Sequence, residues 1–244
     1  MIELDVNLEV EEEWVPPLVQ TRAIGCKQSV VRWLPGSASD GGVYALAGTW
    51  DEGKRNEVKD EVAVWGVRFA AGDDDMSDAH QPEQPQPKRL ATAPHRGCVL
   101  GMAIRASESG GSSVAFAASG DGGISAYSVS MGDTPTLRQL WAEDPAVHKE
   151  VATPSVAWGE AAGRLAACGE DGSLRLLDAS GVEVGSLVSS WDAPMTPESF
   201  LFGLNWQAPN QLISCGNLVQ VWESLRGALS LSLLIGLLDR FCLL

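Results

Sequence analysis

RLAACGEDGSLRLLD, residues Arg164–Asp178, holds two β-like runs on either side of a Gly-Glu-Asp-Gly turn. Leu165, Ala166 and Ala167 lead into Gly169-Glu170-Asp171-Gly172. Beyond the turn, Leu174 and Leu176 fall on one face of a strand, and Arg175 and Leu177 fall on the other. Asp-Gly between two such runs is the strongest short-range hairpin signal, because the turn needs a residue at positive φ and glycine adopts it without steric cost. One hairpin says little about a chain of this length. The chain repeats it.

Working outward, three further segments follow the same plan. Val30–Trp33 is a predicted strand, Leu34–Gly42 a loop, and Val43–Ala47 a second strand closed by Gly48-Thr49-Trp50-Asp51. After a polar excursion, Val62–Phe69 forms the third strand, with Trp65 at its centre. The next unit has Cys98–Ile104, Val114–Ala118, the turn Ser119–Gly123 and Ile124–Val129, where Tyr127 stands as Trp65 did. Lys88–Thr92 and Thr136–Trp141 are read as outer strands, and Val182–Val188 as the outer strand of the unit around Gly169–Gly172. The last unit has Leu201–Trp206, Gln211–Ser214 and Leu218–Trp222. Anchors on the third strands are Trp65, Tyr127, Leu177 and Trp222, spaced by 62, 50 and 45 residues. The last interval lies near the ~40–45-residue period of WD-repeat propeller blades.

Composition agrees with many short strands joined by tight turns. The 244 residues include 26 Gly and nine Trp, enough chain to bury a substantial core. A balance of 17 basic against 32 acidic residues leaves a net charge of −15. No basic stripe offers counterion release, so direct nucleic-acid binding is not expected. Cys26, Cys98, Cys168, Cys215 and Cys242 are widely spaced, and His80, His95 and His148 do not cluster with them. Neither a zinc site nor a disulfide framework is expected, and a reducing, intracellular compartment is the default. Cys168 and Cys215 are read as small buried hydrophobes, and His148 as a solvated loop residue.

The ends depart from the repeat. Residues 1–28 form an acidic N-terminal arm, in which Ile2–Val10 alternates as a half-buried strand would, or as a solvated arm would by chance. Residues 72–87, rich in Asp, Gln and Pro, read as a disordered surface insertion. The tail, 224–244, is Leu-rich and reads as helical. Its 12-residue uncharged run, Gly227–Leu238, falls short of the roughly 20 that a membrane span needs. It is either an amphipathic helix over an exposed edge or sequence foreign to the domain, since no fourth strand is read after Trp222.

The residues around these turns resemble those of WD repeats, although Trp65 is followed by Gly66 and Trp222 by Glu223 where a Trp-Asp pair would close the strand. Beyond that, the chain resembles the WD-repeat nucleoporin forty-three family, the small propeller subunit of the Y-shaped scaffold complex of the nuclear pore. The resemblance rests on Val31-Arg32-Trp33, then Ala47-Gly48-Thr49-Trp50-Asp51-Glu52, then Val62–Trp65. His95-Arg96-Gly97, Leu140-Trp141 and Gly169–Gly172 follow in the family's order. It covers roughly residues 29–223. The family's propeller continues for about three more blades, so an incomplete ring is expected.

The implied fold is all-β, a WD40-type β-propeller of about four to five recognisable blades with a Leu-rich C-terminal helix. An open array would be marginal, or would oligomerise through unpaired edges. The implied function is a non-catalytic scaffold at the nuclear pore and nuclear envelope, bound to other nucleoporins of the Y-shaped complex, with no cofactor, no metal and no small-molecule substrate. Trp50, Asp51 and Glu52 form the candidate partner-binding cluster, because Trp is enriched at interface hot spots. The alternative is that Trp50 packs within the blade. Two rival readings stay open: a generic WD adaptor of another complex, and a propeller esterase using His95 or His148. No GxSxG, HExxH or P-loop supports the second.

Overall fold

In the computed structural model, β10 (Arg164–Cys168) and β11 (Leu174–Asp178) pair antiparallel as expected, across a turn in which Gly172 has a φ of 78°. The structure describes residues 28–37, 42–50, 60–67, 87–107, 112–132, 134–142, 148, 151–161, 163–179, 191–192, 200–225 and 228–236. All elements among them are strands. The first sheet holds β1 (Gln28–Ser37), β2 (Val43–Thr49), β3 (Glu61–Val67) and β4 (Lys88–Pro94). The second holds β5 (Val99–Arg105), β6 (Ser112–Ser119), β7 (Ile124–Ser130) and β8 (Thr136–Ala142). In the third, β9 (Ser155–Gly159) precedes the hairpin and β12 (Trp191–Asp192) follows it. The fourth has β13 (Leu201–Ala208), β14 (Gln211–Gly216), β15 (Leu218–Leu225) and β16 (Ala228–Gly236).

Each sheet is a four-stranded antiparallel meander in chain order, and successive sheets pack face to face. The first strands β1, β5, β9 and β13 lie side by side along the inner line of the array, and β4 meets β8 at its outer side. This is the blade arrangement of a propeller over four sheets.

The anchor residues occupy equivalent places. Cross-strand register puts Trp33, Ala45 and Trp65 in one row of the first sheet. The matching rows are Ile104–Ala115–Tyr127, Trp158–Leu165–Leu177 and Trp206–Leu212–Trp222. In the last three sheets this row lies on the face turned to the preceding sheet, here termed the trailing face. Tyr127 clusters with Leu46 and Val64 of the first sheet, Leu177 with Phe116 and Ile124 of the second, and Trp222 with Ala166 and Leu176 of the third. The opposite, leading face meets the following sheet. Leu174 and Leu176 lie on it, and Leu177 on the other, as their alternation predicts.

The seams depend on small residues and on a few polar struts. A Cβ on Gly159 would lie 2.9 Å from the Trp206 ring, so glycine there lets the indole seat against β9. The same indole donates from Nε1 to the Ala157 carbonyl at 3.2 Å. Across the first seam Arg32 donates to the Met102 carbonyl at 3.1 Å and Ser29 to the Val99 carbonyl; across the second Arg105 donates to the Ala179 carbonyl at 3.2 Å and the Thr153 hydroxyl to the Gly122 carbonyl at 2.9 Å.

Two expectations about the outer strands need revision. Ala228–Gly236 is a strand and not a helix: it pairs along β15, with Val219 opposite Ile235 and Glu223 opposite Ser230. Leu is a good helix former, but intrinsic preferences are worth only some tenths of a kcal/mol per residue, Ser and Ile rank lower, and the backbone edge of the eight-residue β15 offers a full ladder of hydrogen bonds in exchange. The strand seen beside β11 is Trp191–Asp192; Val182–Val188 lies outside the described residues, as do the N-terminal arm through residue 27, residues 72–86 and the tail from 237. Among the described residues no helix is long and apolar enough to cross a membrane.

One buried polar contact differs between the first and fourth sheets. Trp222 donates from Nε1 to Ser214 Oγ at 2.9 Å, and that hydroxyl donates to Gln220 Oε1 at 3.1 Å. Trp65, at the matching place, has a buried Nε1 without a hydrogen-bond partner among the described residues, and Ala47 stands where Ser214 does. Ala47→Ser is expected to give the indole its acceptor and stabilise the protein by about 1 kcal/mol, raising Tm by roughly 2–4 °C. Ser214→Ala should lower Tm by a similar amount. An unchanged or lower Tm for Ala47→Ser in a thermal melt would show that the Trp65 indole gains nothing from a hydroxyl there.

Candidate functional site

The start of each inner strand lies beside the turn between the second and third strands of its own sheet: Gln28 opposite Thr49, Val99 opposite Ser119, Ser155 opposite Cys168, and Leu201 opposite Gly216. These turns and strand starts form one rim of the array, and the candidate cluster belongs to it. Thr49 Oγ1 accepts the Glu61 N–H at 2.9 Å and donates to the Glu61 carbonyl at 3.3 Å, which closes the mouth of the β2–β3 connection. Trp50 follows directly and is 39% exposed, so it projects from a strand end that is itself fixed. Asp51 and Glu52 lie outside the described residues.

Across the rim the chemistry changes. At the second sheet, Arg96 pairs with Asp121 at 2.9 Å on an exposed turn, a contact of little energetic weight. At the third, Glu170 is exposed. At the fourth, Phe200 and Phe202 are 53% and 57% exposed, flanking the buried Leu201. The Asn217 N–H holds the Phe200 carbonyl at 3.3 Å. Exposed aromatics therefore stand at the first and fourth sheets, with charged turns between them. The reading of the sequence missed both phenylalanines. Their signal was an apolar run, Phe200-Leu201-Phe202, in which only the central residue has a place on a seam.

Both described histidines are buried. His95 leads into β5, its N–H bonded to the Asp60 carbonyl at 2.9 Å and its Nδ1 2.8 Å from the Tyr127 hydroxyl. Tyr127 donates to the Pro94 carbonyl at 3.0 Å, so Nδ1 of His95 serves as the donor in their contact. Burial holds His95 far below its usual range, at about 4, against the opposing pull of Asp121. Burial likewise pushes Tyr127 up to about 12.

His148 is 1% exposed and not a solvated loop residue. Its N–H bonds to Gly122 of the second sheet, and its Nδ1 lies 2.5 Å from Ser173 Oγ of the third. The polar stretch around it suggests water, but the partners that enclose it come from two distant turns. Cys215 also departs from expectation. It is exposed, whereas Cys168 is fully buried and its thiol is pushed up to about 12 by that burial.

Asp171, Ser173 and His148 stand together, but not as a nucleophile relay. Asp171 Oδ1 accepts both the Ser173 N–H at 2.9 Å and its hydroxyl at 2.5 Å. In acyl transfer the carboxylate orients the imidazole from the side away from the serine. Here it holds the serine itself, and Ser173 is only 7% exposed. The trio pins the β10–β11 turn to the preceding sheet. Among the described residues no group of three His, Cys, Asp or Glu could hold a metal ion.

The chain matches no protein-family description and no curated protein. Among solved structures it is similar to U3-55K, a WD-repeat protein, at 13% identity and a TM-score of 0.54. That similarity covers 86% of this chain and 53% of U3-55K, so the chain spans about half the length of that structure. The likeness supports a WD40-like fold of four antiparallel sheets.

The depressed His95 gives the fold a pH signature. A folded value of about 4 against 6.5 in the unfolded chain means that the unfolded state takes up the proton first as pH falls. Stability is therefore expected to be intact above about pH 6.5 and to fall by about 3 kcal/mol by about pH 4 from this residue alone. His95→Gln should remove that component. Urea melts of both proteins across the window read it as the difference between them, and parallel profiles would refute it.

Proposed function

We propose that this chain is a non-catalytic scaffold and, within that class, a subunit of the Y-shaped outer-ring complex of the nuclear pore at the nuclear envelope, docked to other nucleoporins. The observation that carries the reading is the GTWDE turn at Gly48–Glu52, with its tryptophan 39% exposed at a fixed strand end. A blade array suits the role because side chains lock the sheets together while rims and loops remain as broad, rigid docking surfaces. Trp50 would act as the anchor and Asp51 and Glu52 as acidic neighbours that favour a basic patch on the partner. The binding is to protein, with no cofactor, small-molecule substrate or nucleic acid. The general likeness to a WD-repeat structure supports a second, coarser reading: an adaptor of the same kind in another complex.

The test is recovery of partners through an N-terminal tag at the native locus, read by mass spectrometry. Y-complex nucleoporins are the expected companions. Trp50→Ala should cut their recovery by about 10-fold or more, as loss of an interface hot spot does, with the melting temperature unchanged. A different, reproducible set of partners would move the protein to the adaptor reading. Chaperones alone would overturn both.

A further inference from the structure

The strand end that carries Trp50 is held from outside its own sheet. Thr49 and Glu61 close the mouth of the β2–β3 connection, and Asp60, just before Glu61, accepts the His95 N–H on its carbonyl at 2.9 Å. His95 lies in the link from β4 to β5, between the first sheet and the second. Its ring is fixed by the second sheet. Nδ1 donates to the Tyr127 hydroxyl at 2.8 Å, and that hydroxyl donates to the Pro94 carbonyl at 3.0 Å. Tyr127 itself is completely buried, in one cluster with Leu46 and Val64 of the first sheet. One histidine thus joins the mouth beside Trp50, the end of β4 and the aromatic row of the second sheet.

These bonds suit one protonation state. With Nδ1 as donor, the neutral imidazole carries its lone pair at Nε2, a buried atom with no hydrogen-bond partner among the described residues. A proton added there creates a charged N–H with no acceptor, on a residue only 8% exposed. The titratable and charged groups on the surrounding elements are committed elsewhere. Asp121 of the β6–β7 turn attracts the proton but is paired with Arg96 at 2.9 Å, and Glu61 at the start of β3 is held by Arg89 at 2.5 Å. Asp60 meets His95 through its backbone, and Tyr127 is engaged at Nδ1. Burial outweighs the pull of Asp121 and holds His95 at about 4. The new N–H reaches water only if the ring withdraws, and withdrawal breaks the Asp60 and Tyr127 contacts.

We propose that His95 is a positioning residue for the Trp50 cluster and its acid-operated release. Neutral His95 holds the mouth of the β2–β3 connection against the second sheet, so Trp50 is presented from a fixed strand end. Protonated His95 lets the mouth go. The link to docking rests on the reading of Trp50 as a partner anchor, whereas the latch itself is measured without a partner.

The experiment is hydrogen exchange of the full chain by mass spectrometry at about pH 7 and about pH 4.5, corrected for intrinsic rates. Labelling times are kept too short to exchange β10 and β11 at either pH. With a value of about 4 in the closed form and 6.5 in the open one, exchange over residues 47–50 and 60–63 should then rise roughly 50-fold in acid. His95→Gln, which takes up no proton in this window, should show no such rise. Asp121→Asn keeps the histidine and should move the rise to lower pH, because the charge that favours protonation is gone. A mouth that exchanges only together with β10 and β11, a rise that His95→Gln shares, or no rise at all would overturn the latch.

Recovery of partners at neutral pH is read separately. Tyr127→Phe, a change at a completely buried site, should reduce it several-fold in the same direction as Trp50→Ala. Wild-type recovery in Tyr127→Phe beside a loss in Trp50→Ala would break the link between latch and docking. Wild-type recovery in Trp50→Ala would instead remove the docking reading, and with it the regulatory role, while the exchange data still decide the latch.

Discussion

Everything in this structure depends on the pressing of one sheet's aromatic row into the leading face of its neighbour. The strands are apolar on alternate residues of both faces: Ala115 looks to the first sheet, Phe116 to the third, and both are completely buried. A sheet of that kind cannot satisfy itself. Its backbone ladder is closed internally, but its two faces need covers, and the following and preceding sheets supply them. Bulk on one side of a seam is met by small residues on the other. Ala166 and Gly159 face the large Trp222 and Trp206, and the alanines of β6 leave room for Leu46 and Val64.

Within that scheme each sheet fixes its rim by a different polar device. The second uses a tyrosine that reaches a histidine, the third an aspartate, a serine and a histidine, and the fourth a tryptophan, a serine and a glutamine. The first keeps the tryptophan without the serine. Side-chain identity at these points drifts while their positions hold, because what the fold requires is a satisfied donor near the turn and not a particular pair of residues. Two of the three devices also join neighbouring sheets: His95 is held by Asp60 of the first and His148 by Gly122 of the second.

Much of this was readable in the amino-acid order. The anchors Trp65, Tyr127, Leu177 and Trp222 fall in one structural row because a two-residue side-chain period and a recurring turn fix register together. What stayed hidden depends on partners far away in the chain. His148 sits among charged residues and is enclosed by turns that contribute Gly122 and Ser173. Cys168 and Cys215 occupy like positions in like strands and differ only in whether a sheet covers them. The strand at Ala228–Gly236 was obscured by its leucines, whose helical preference is smaller than the value of an open edge on β15. Of the candidate cluster, the exposure of Trp50 is a fact of the fold that local sequence could not supply.

The separation between ladder and seam has a consequence for how the molecule comes apart. Hydrogen bonds run the length of each meander, but the sheets are joined mainly by side chains and by a few struts such as Arg32 to Met102 and Trp206 to Ala157. Water admitted to one seam frees an entire sheet and leaves its ladder whole. The cooperative units are then the sheets themselves, coupled to nearest neighbours as in a one-dimensional chain. A sheet seated between two others is held by two seams, so its amide hydrogens exchange only after one of those seams has opened.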